Sequence, residues 1–150
     1  MTTTCMDIEA NGIEDVTQVW CYCSQNITDV GGALSVDYED DLFVKKIQRD
    51  LDKTNVLIGH HIIKYDLPVL EDVLGITYTR EVFDTLIMSQ LLNPDRPGGH
   101  SLAAWAKKLR RKKVEHDEWD RYSPEMLHRC EEDVDINVLI YYELLKEMER

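Results

Sequence analysis

The sequence predicts an α/β fold in which a mixed central β-sheet is flanked by α-helices. Two strand-like segments open the chain, and helix-like segments then alternate with short apolar strands as far as the C-terminus. This order is typical of α/β and α+β proteins with a mixed sheet. A length of 150 residues is that of one core, so we expect residues 1–150 to form a single domain.

A β-hairpin is predicted at the start of the chain. Residues 4–10 alternate as a strand does, and residues 16–24 are rich in Val, Trp, Cys and Tyr, which favour strands. The Asn11-Gly12 pair between them is typical of a hairpin turn. Val36 indicates a short third strand.

The middle of the chain predicts alternating helices and strands. Val44, Ile47 and Leu51 recur at i, i+3 and i+7, which predicts a helix over residues 41–52 with one buried face. The apolar segment Val56–Gly59 is typical of a strand that is buried on both faces. The elements predicted after it are a helix at Leu67–Leu74, a strand at Glu81–Asp84, a helix at Thr85–Leu92, a loop at 93–99 and a helix at 101–113.

The final helix has the clearest signals. Ser123 is a good N-cap residue, and Pro124 suits the first helical position. The apolar stripe predicted for this helix consists of Val134, Val138, Tyr141 and Leu145.

Charge and composition limit the classes of function. A net charge of −12 argues against a protein that coats duplex DNA, because such binding depends on Lys and Arg. An enzyme that grips a strand end through bound cations is compatible with this charge. The four cysteines lack a CxxC pair, so we expect buried thiols. With neither a membrane span nor a signal peptide, we expect a soluble cytoplasmic protein, in the host cytoplasm if it is viral.

Four carboxylates are the candidate catalytic residues. Asp7 and Glu9 lie two apart on a predicted strand, so their side chains leave the same face of the sheet. Two acids packed side by side repel each other unless a cation lies between them. Asp66 follows the buried strand, and Asp133 lies in the final helix.

Five segments occur in the order of a known family. They are Asp7-Ile8-Glu9-Ala10-Asn11, Tyr65-Asp66-Leu67-Pro68, Phe83-Asp84-Thr85-Leu86, His100-Ser101-Leu102-Ala103-Ala104-Trp105, and the helix that carries Asp133. Together they resemble the DnaQ-like, or DEDD, 3′-5′ exonucleases, and most of all the proofreading exonuclease domains of phage family A DNA polymerases. The joint match spans nearly the whole chain and is more specific than any one motif.

The resemblance implies a ribonuclease-H-like fold and a pair of divalent ions. Asp7, Glu9 and Asp133 would hold the two ions, and Asp66 would complete the cluster directly or through water. Mg²⁺ or Mn²⁺ is expected, because these ions prefer hard oxygen ligands. Two such ions support phosphodiester hydrolysis.

The resemblance also implies residues that contact the substrate. Ala10, Asn11, His61 and Tyr65 would bind the terminal nucleotide. His61 replaces an Asn that is common in the family, and it could donate a similar hydrogen bond. Tyr65 could stack on a base or pack in the core. The family counterpart of Asp84 fixes local structure, and we expect the same of Asp84.

The residue that assists the attacking water is ambiguous. Family members use either a Tyr four residues before the last Asp or a His five residues before it. The Tyr position is Arg129 and the His position is His128, which makes His128 the candidate general base. However, five residues in a regular helix place His128 about 140° around from Asp133. His128 therefore requires an irregular chain, and its alternative is a surface histidine.

One basic run interrupts the acidic chain. Its members are Lys107, Lys108, Arg110, Arg111, Lys112 and Lys113. The run could contact phosphates of an incoming strand, or it could be a solvated helix end where cations complement the helix dipole.

Three functions follow from the sequence. The first is a 3′-5′ exonuclease on single-stranded DNA or DNA 3′ ends, acting alone or as the proofreading partner of a separately encoded DNA polymerase. The second keeps this chemistry but acts on RNA or short oligonucleotides, since that choice depends on how a pocket meets the 2′ position. The third is a non-catalytic interaction module that kept the fold.

Overall fold

A five-stranded mixed sheet forms the centre of the protein, in a computed structural model that describes residues 1–28, 32–113 and 115–150. The strands are β1 (Thr3–Ala10), β2 (Val19–Asn26), β3 (Ala33–Asp37), β4 (Val56–Gly59) and β5 (Glu81–Asp84). Their order in the sheet is β3-β2-β1-β4-β5. The first three strands pair antiparallel, whereas β1 with β4 and β4 with β5 pair parallel.

Helices cover both faces of this sheet. They are α1 (Phe43–Asp52), α2 (Leu67–Leu74), α3 (Thr85–Leu92), α4 (Leu102–Lys108) and α5 (Pro124–Met148), with a π-helical turn at Ile62–Asp66 that leads into α2. One core contains residues of α1 and α2 packed on the sheet, a second contains residues of α5 packed on the sheet, and a third contains residues of α4 and α5. This mixed sheet between helices confirms the predicted fold class.

Strand β1 separates the apolar core from the acids. Met6 and Ile8 pack in the core with α1 and α2. Alternation along a strand sends their neighbours to the opposite face, and there Cys5 packs with residues of α5. Asp7 and Glu9 continue that second face, which brings both acids under α5.

The hairpin loop is longer than predicted. Strand β2 begins at Val19 rather than at residue 16 and continues to Asn26. The Asn11 side-chain oxygen accepts hydrogen bonds from the backbone N–H groups of Thr17 (3.1 Å) and Gln18 (3.2 Å). Asn11 therefore closes a wide loop instead of starting a tight turn.

The buried face of α1 was predicted correctly at two positions and wrongly at the third. Val44 is 41% exposed, whereas Phe43, Ile47 and Leu51 are buried. These three lie at i, i+4 and i+8, which also follow one face of a helix. Packing against the sheet selected this neighbouring face.

Helix α4 is shorter than the predicted helix over residues 101–113. It ends at Lys108, and Arg110 has a positive φ of 58°. The Arg111 N–H then donates to the Ala106 carbonyl oxygen at 2.8 Å. A left-handed residue with a hydrogen bond back across the last turn is a common way to end a helix, so most of the basic run lies outside α4.

Helix α5 begins as predicted, but it buries more than one stripe. The Ser123 hydroxyl accepts from the Met126 N–H at 3.3 Å. Of the predicted stripe, Val134 is buried, whereas Val138, Tyr141 and Leu145 are only partly covered. Helix α5 contacts α3 and α4 as well as strands β1 and β2, and this wider contact buries a second group that includes Ile136, Ile140 and Leu144. Within the described ranges, no helix is both long and apolar enough to cross a membrane.

Candidate active site

Asp7 and Glu9 form an acidic pair at the carboxyl end of β1. Their carboxylate oxygens and the Cys130 sulfur all lie within 4.8 Å of one another. Glu9 is buried, and the Asp7 Oδ2 atom is buried without a hydrogen-bond partner among the residues that the structure describes. Burying a carboxylate oxygen that accepts no hydrogen bond costs free energy of folding. A bound cation would offset this cost, so the two acids suit the role of metal ligands.

Asp66 reaches the pair through an irregular connection after β4. His61 has a left-handed backbone with φ 67°, and the following π-helical turn ends at Asp66. Asp66 is only 4% exposed. The connection starts close to Gly59, where an added Cβ would lie 2.6 Å from the Ile62 Cβ. Glycine is therefore required for the close approach of Ile62 at this position.

Asp84 holds this connection in place. Its carboxylate accepts hydrogen bonds from the backbone N–H groups of His61 and Ile63, both at 3.1 Å. It also caps α3 by accepting from Leu86 (3.0 Å) and Ile87 (3.3 Å). Asp84 thus joins the end of β5 to the turn that carries Asp66, which is the local structural role expected from the sequence.

Asp133 completes the group of acids from α5, and two cations accompany it. The Lys113 Nζ atom lies 3.2 and 3.3 Å from the two Asp133 carboxylate oxygens. The Arg129 Nε atom lies 3.7 Å from Asp133 Oδ2 and 3.9 Å from Glu9 Oε1. The cluster is therefore partly neutralised by residues of the chain itself.

Burial raises the pKa values of all four acids. Burial raises the pKa of Asp7 well above its usual range, and the charges of Glu9, Asp66 and Asp133 raise it further. Burial raises the pKa of Glu9 to about 7 and that of Asp66 to about 8. Burial also raises the pKa of Asp133, although the Lys113 ammonium opposes it. Clusters with such shifts are typical of functional sites.

These carboxylates fit a divalent metal ion. Their donors are hard oxygens, which suit Mg²⁺ and Mn²⁺. The partnerless Asp7 oxygen and the raised pKa values both indicate positive charge that the protein side chains do not fully supply. A bound cation would reverse the cost of placing these acids together.

A cavity of about 720 Å³ opens beside Glu9. The residues that line it are Ile8, Glu9, Ala10, Asn11, Gly12, Ile13, Glu14, Tyr65, Trp119 and Arg129. Half-buried Tyr65 donates its hydroxyl to the Gly12 carbonyl oxygen at 2.6 Å. A volume of this size accommodates a small organic ligand such as a nucleotide.

The structure brings three of the four predicted substrate residues to this cavity. Ala10, Asn11 and Tyr65 line it, although the Asn11 side chain is engaged by the hairpin loop. His61 is exposed and is not among the described residues that line the cavity. Its backbone geometry serves the connection to Asp66.

His128 and Arg129 leave α5 in different directions. The helix is continuous from Pro124, with none of the irregularity that His128 requires. His128 is exposed and lines a separate cavity of about 600 Å³ with Lys112, Lys113, Glu115 and Glu132. Arg129 shares the face of Asp133, as regular helical geometry predicts for residues four apart.

Sequence reasoning missed three residues near the acids. Cys130 is one of four buried free cysteines, and its position next to Asp7 and Glu9 has no sequence signal. Trp119 lines the cavity from the segment before α5. Lys113 belongs to the basic run and is its half-buried member, whereas the others are exposed. Lys113 differs from the rest of the run because it contacts Asp133, 20 residues further along the chain, and the local sequence does not show this contact.

Solved structures with the same fold include several nucleases. NrnC of Brucella melitensis with bound Mg²⁺ has a TM-score of 0.72 at 22% identity, covering 99% of this chain and 74% of its own. The catalytic core of RRP6 from Trypanosoma brucei has a TM-score of 0.67 at 21% identity, covering 95% and 40%. Exonuclease X, in complex with 5′ overhanging duplex DNA, has a TM-score of 0.64 at 12% identity, covering 96% and 91%.

A family model decides the relationship. Comparison with curated proteins finds no match. The model described as 3′-5′ exonuclease, by contrast, matches residues 5–149, which is nearly the entire chain. The matched range includes all four acids and the elements that carry them. The chain therefore belongs to the 3′-5′ exonuclease family, with the ribonuclease-H-like fold and the DnaQ-like relationship that its motifs predicted.

Proposed function

We propose that this enzyme removes nucleotides one at a time from the 3′ end of single-stranded or frayed DNA, with residues 1–150 as one catalytic domain. The observation that carries the proposal is the convergence of Asp7, Glu9, Asp66 and Asp133, from three parts of the chain, beside a cavity of nucleotide size. Family membership favours an active enzyme over a non-catalytic interaction module.

Two divalent ions, Mg²⁺ or Mn²⁺, are proposed as the cofactors. Asp7, Glu9 and Asp133 would hold them, with Asp66 contributing directly or through water. Such ions supply Lewis acidity to phosphodiester hydrolysis and compensate the charge of the carboxylates. The partnerless Asp7 oxygen supports this assignment, and NrnC, which shares the fold, was solved with Mg²⁺.

The chain's own residues would receive the terminal nucleotide. Ala10 and Asn11 continue from the acidic pair into the cavity, so a nucleotide bound there lies next to the carboxylates. Tyr65 presents an aromatic ring to the same cavity, where it could stack on a base. His61 remains a candidate for a contact outside the cavity.

A second candidate substrate is a short oligonucleotide or RNA. NrnC was also solved with bound pGG, and it has a TM-score of 0.71 with this chain. The two substrates differ at the sugar 2′ position, where a protein distinguishes RNA from DNA. The DNA activity could serve alone or beside a separately encoded polymerase.

Labelled strands distinguish these activities. Purified protein is incubated with DNA and RNA strands that carry a label at either end, in Mg²⁺, in Mn²⁺ or in EDTA. A 3′-5′ exonuclease releases a 3′ label immediately as a mononucleotide, whereas a 5′ label remains on progressively shorter strands. We expect this pattern on DNA with either ion and none in EDTA.

Single substitutions connect the activity to the acids. Asp7→Ala and Asp133→Ala should each abolish nucleotide release, while Asp95→Ala, in an exposed loop, serves as the matched control. If RNA or dinucleotides are degraded faster than DNA, the preferred substrate belongs to the second class, RNA or short oligonucleotides. The absence of metal-dependent release from every strand would refute both.

A further inference from the structure

Arg129 occupies the first of the two alternative positions for a water-assisting residue, the one four residues before Asp133, where the family alternative is a tyrosine. It lies one helical turn before Asp133 on the same face of α5, and its side chain is 18% exposed. A guanidinium carries a permanent positive charge in proteins and offers hydrogen-bond donors but no acceptor. Arg129 therefore cannot accept a proton from water, and it needs a role other than that of a general base.

Contacts fix the guanidinium from several sides. Its central carbon lies 4.7 Å from the centroid of the Trp119 ring, a cation–π distance. One terminal nitrogen donates to the His116 carbonyl oxygen at 3.2 Å. The Trp119 backbone is itself held, because its carbonyl oxygen accepts from the Trp20 indole at 2.8 Å. Arg129 is thus an oriented cation rather than a mobile surface side chain.

One donor of this guanidinium has no hydrogen-bond partner in the described part of the chain, although two carboxylates lie within ion-pair distance of it. The Arg129 Nε atom is buried and makes no hydrogen bond among the described residues. Its distances to Glu9 and Asp133, 3.9 and 3.7 Å, are too long for hydrogen bonds. A buried donor that makes no hydrogen bond is costly on a charged group, so a ligand atom that accepts from it would stabilise this arrangement.

The two cations near the acids face different spaces. Arg129 lines the cavity of about 720 Å³ together with Glu9, Asn11 and Tyr65. Lys113 makes hydrogen bonds to both Asp133 oxygens and lines the other cavity, on the side of His128. An anionic ligand in the nucleotide-sized cavity therefore meets Arg129.

We propose that Arg129 is a catalytic residue that binds the 5′-phosphate of the 3′-terminal nucleotide, which is the phosphate under attack. The inference rests on the proposed function for the identity of the ligand. A planar guanidinium can donate two parallel hydrogen bonds to a phosphate. It would also stabilise the negative charge that develops there during hydrolysis.

Binding of the reaction product tests this assignment without turnover. Calorimetry measures the affinity of thymidine 5′-monophosphate and of thymidine in Ca²⁺, a hard divalent ion that also takes oxygen ligands. We expect wild type to bind the monophosphate better than the nucleoside. Arg129→Met should weaken monophosphate binding by roughly tenfold to hundredfold, the size of a charge-assisted hydrogen bond, and should leave thymidine binding unchanged.

Matched variants separate charge from shape. Arg129→Lys keeps the positive charge but cannot donate two parallel hydrogen bonds. Its loss of monophosphate affinity should therefore be smaller than that of Arg129→Met. Arg49→Met removes an exposed arginine that lines a different cavity, with Thr2 and Thr4 at the far end of β1, and should bind both ligands as wild type does. Circular dichroism confirms folding, and Arg129→Gln replaces the Met variant if that variant does not fold.

The outcomes distinguish this inference from the proposed function. If Arg129→Met loses the same affinity for both ligands, or no affinity for either, Arg129 only shapes the pocket and the assignment is overturned. Wild type that prefers neither ligand also overturns it, even if the protein degrades DNA. Conversely, an Arg129-dependent preference for the monophosphate in a protein that releases no nucleotides supports the assignment while the exonuclease proposal fails.

Discussion

At the scale of single residues, Asp7 is the carboxylate with the least compensation. Lys113 and Arg129 lie near Asp133, and Arg129 also lies near Glu9, whereas Asp7 has a buried oxygen with no hydrogen-bond partner within the described ranges. Ionised Asp7 is opposed by burial and by three like charges. The site therefore stores electrostatic strain that a cation relieves, a common conflict between stability and activity.

Asp7→Asn should stabilise the metal-free protein. The substitution removes a buried charge, so we expect a gain of roughly 1 kcal/mol, or about 2–4 °C in melting temperature. Thermal melts in EDTA measure this change. Mg²⁺ should raise the melting temperature of wild type, because it binds the folded state alone, and should raise that of the variant less. A variant that melts below wild type in EDTA contradicts the expectation, with Asp95→Asn as the control.

His128→Gln tests the hypothesis that His128 is the general base for the attacking water. His128 is exposed on a regular stretch of α5, away from the face that carries Asp133. A general base contributes about 10²- to 10⁴-fold to the rate. We expect kcat on a 5′-labelled DNA strand to fall by much less than this range. A loss of a hundredfold with normal folding would instead identify His128 as the base.

At the scale of elements, the π-helical turn after β4 determines where Asp66 lies. The turn is anchored at its start by Asp84, whose carboxylate serves two elements at once. Because β4 and β5 are parallel neighbours, Gly59 pairs with Asp84 at the end of both strands. The sheet therefore supplies the anchor at the place where the turn begins.

Asp84→Ala should lower the free energy of unfolding by more than the loss of an ordinary helix cap does. Loss of one cap costs about 1 kcal/mol, and the two released N–H groups of the turn raise the total to roughly 2–3 kcal/mol. Urea unfolding measures both this variant and Ser101→Ala, which removes the single cap of α4. Equal destabilisation by the two substitutions would show that the turn does not depend on Asp84. We also expect Asp84→Ala to lower kcat, since Asp66 loses its support.

At the scale of the whole molecule, Arg96 joins the loop before α4 to the end of α5. Its nearly inaccessible guanidinium forms two hydrogen bonds with Glu147, at 2.7 and 2.8 Å, and donates to the Ser89 carbonyl oxygen at 3.2 Å. It also lies 4.6 Å from the Trp105 ring centroid. These contacts fasten the end of the helix that carries Asp133.

Arg96→Met should lower stability without changing the chemistry. Removing one member of a largely buried pair costs about 3 kcal/mol, whereas Arg121→Met, which removes an exposed pair with Glu118, should cost less than about 1 kcal/mol. Urea unfolding compares the two. We expect kcat well below the unfolding temperature to match wild type, and a large loss of kcat there would show that the contact also positions the site.

The sequence alone determined the fold class and the positions of most helices and strands, and it predicted the four acids that the fold brings together, because hydrophobic period, capping residues and short motifs are local signals. The bounds of β4, α2, β5 and α3 were predicted correctly. Helical periodicity already favoured Arg129 over His128 on the face of Asp133, but only the tertiary structure showed that Trp119 and the His116 carbonyl oxygen hold Arg129 beside Glu9. It also decided that α4 ends at Lys108 and that Lys113 reaches Asp133. These features depend on packing between segments far apart in the chain, for which local sequence carries no signal.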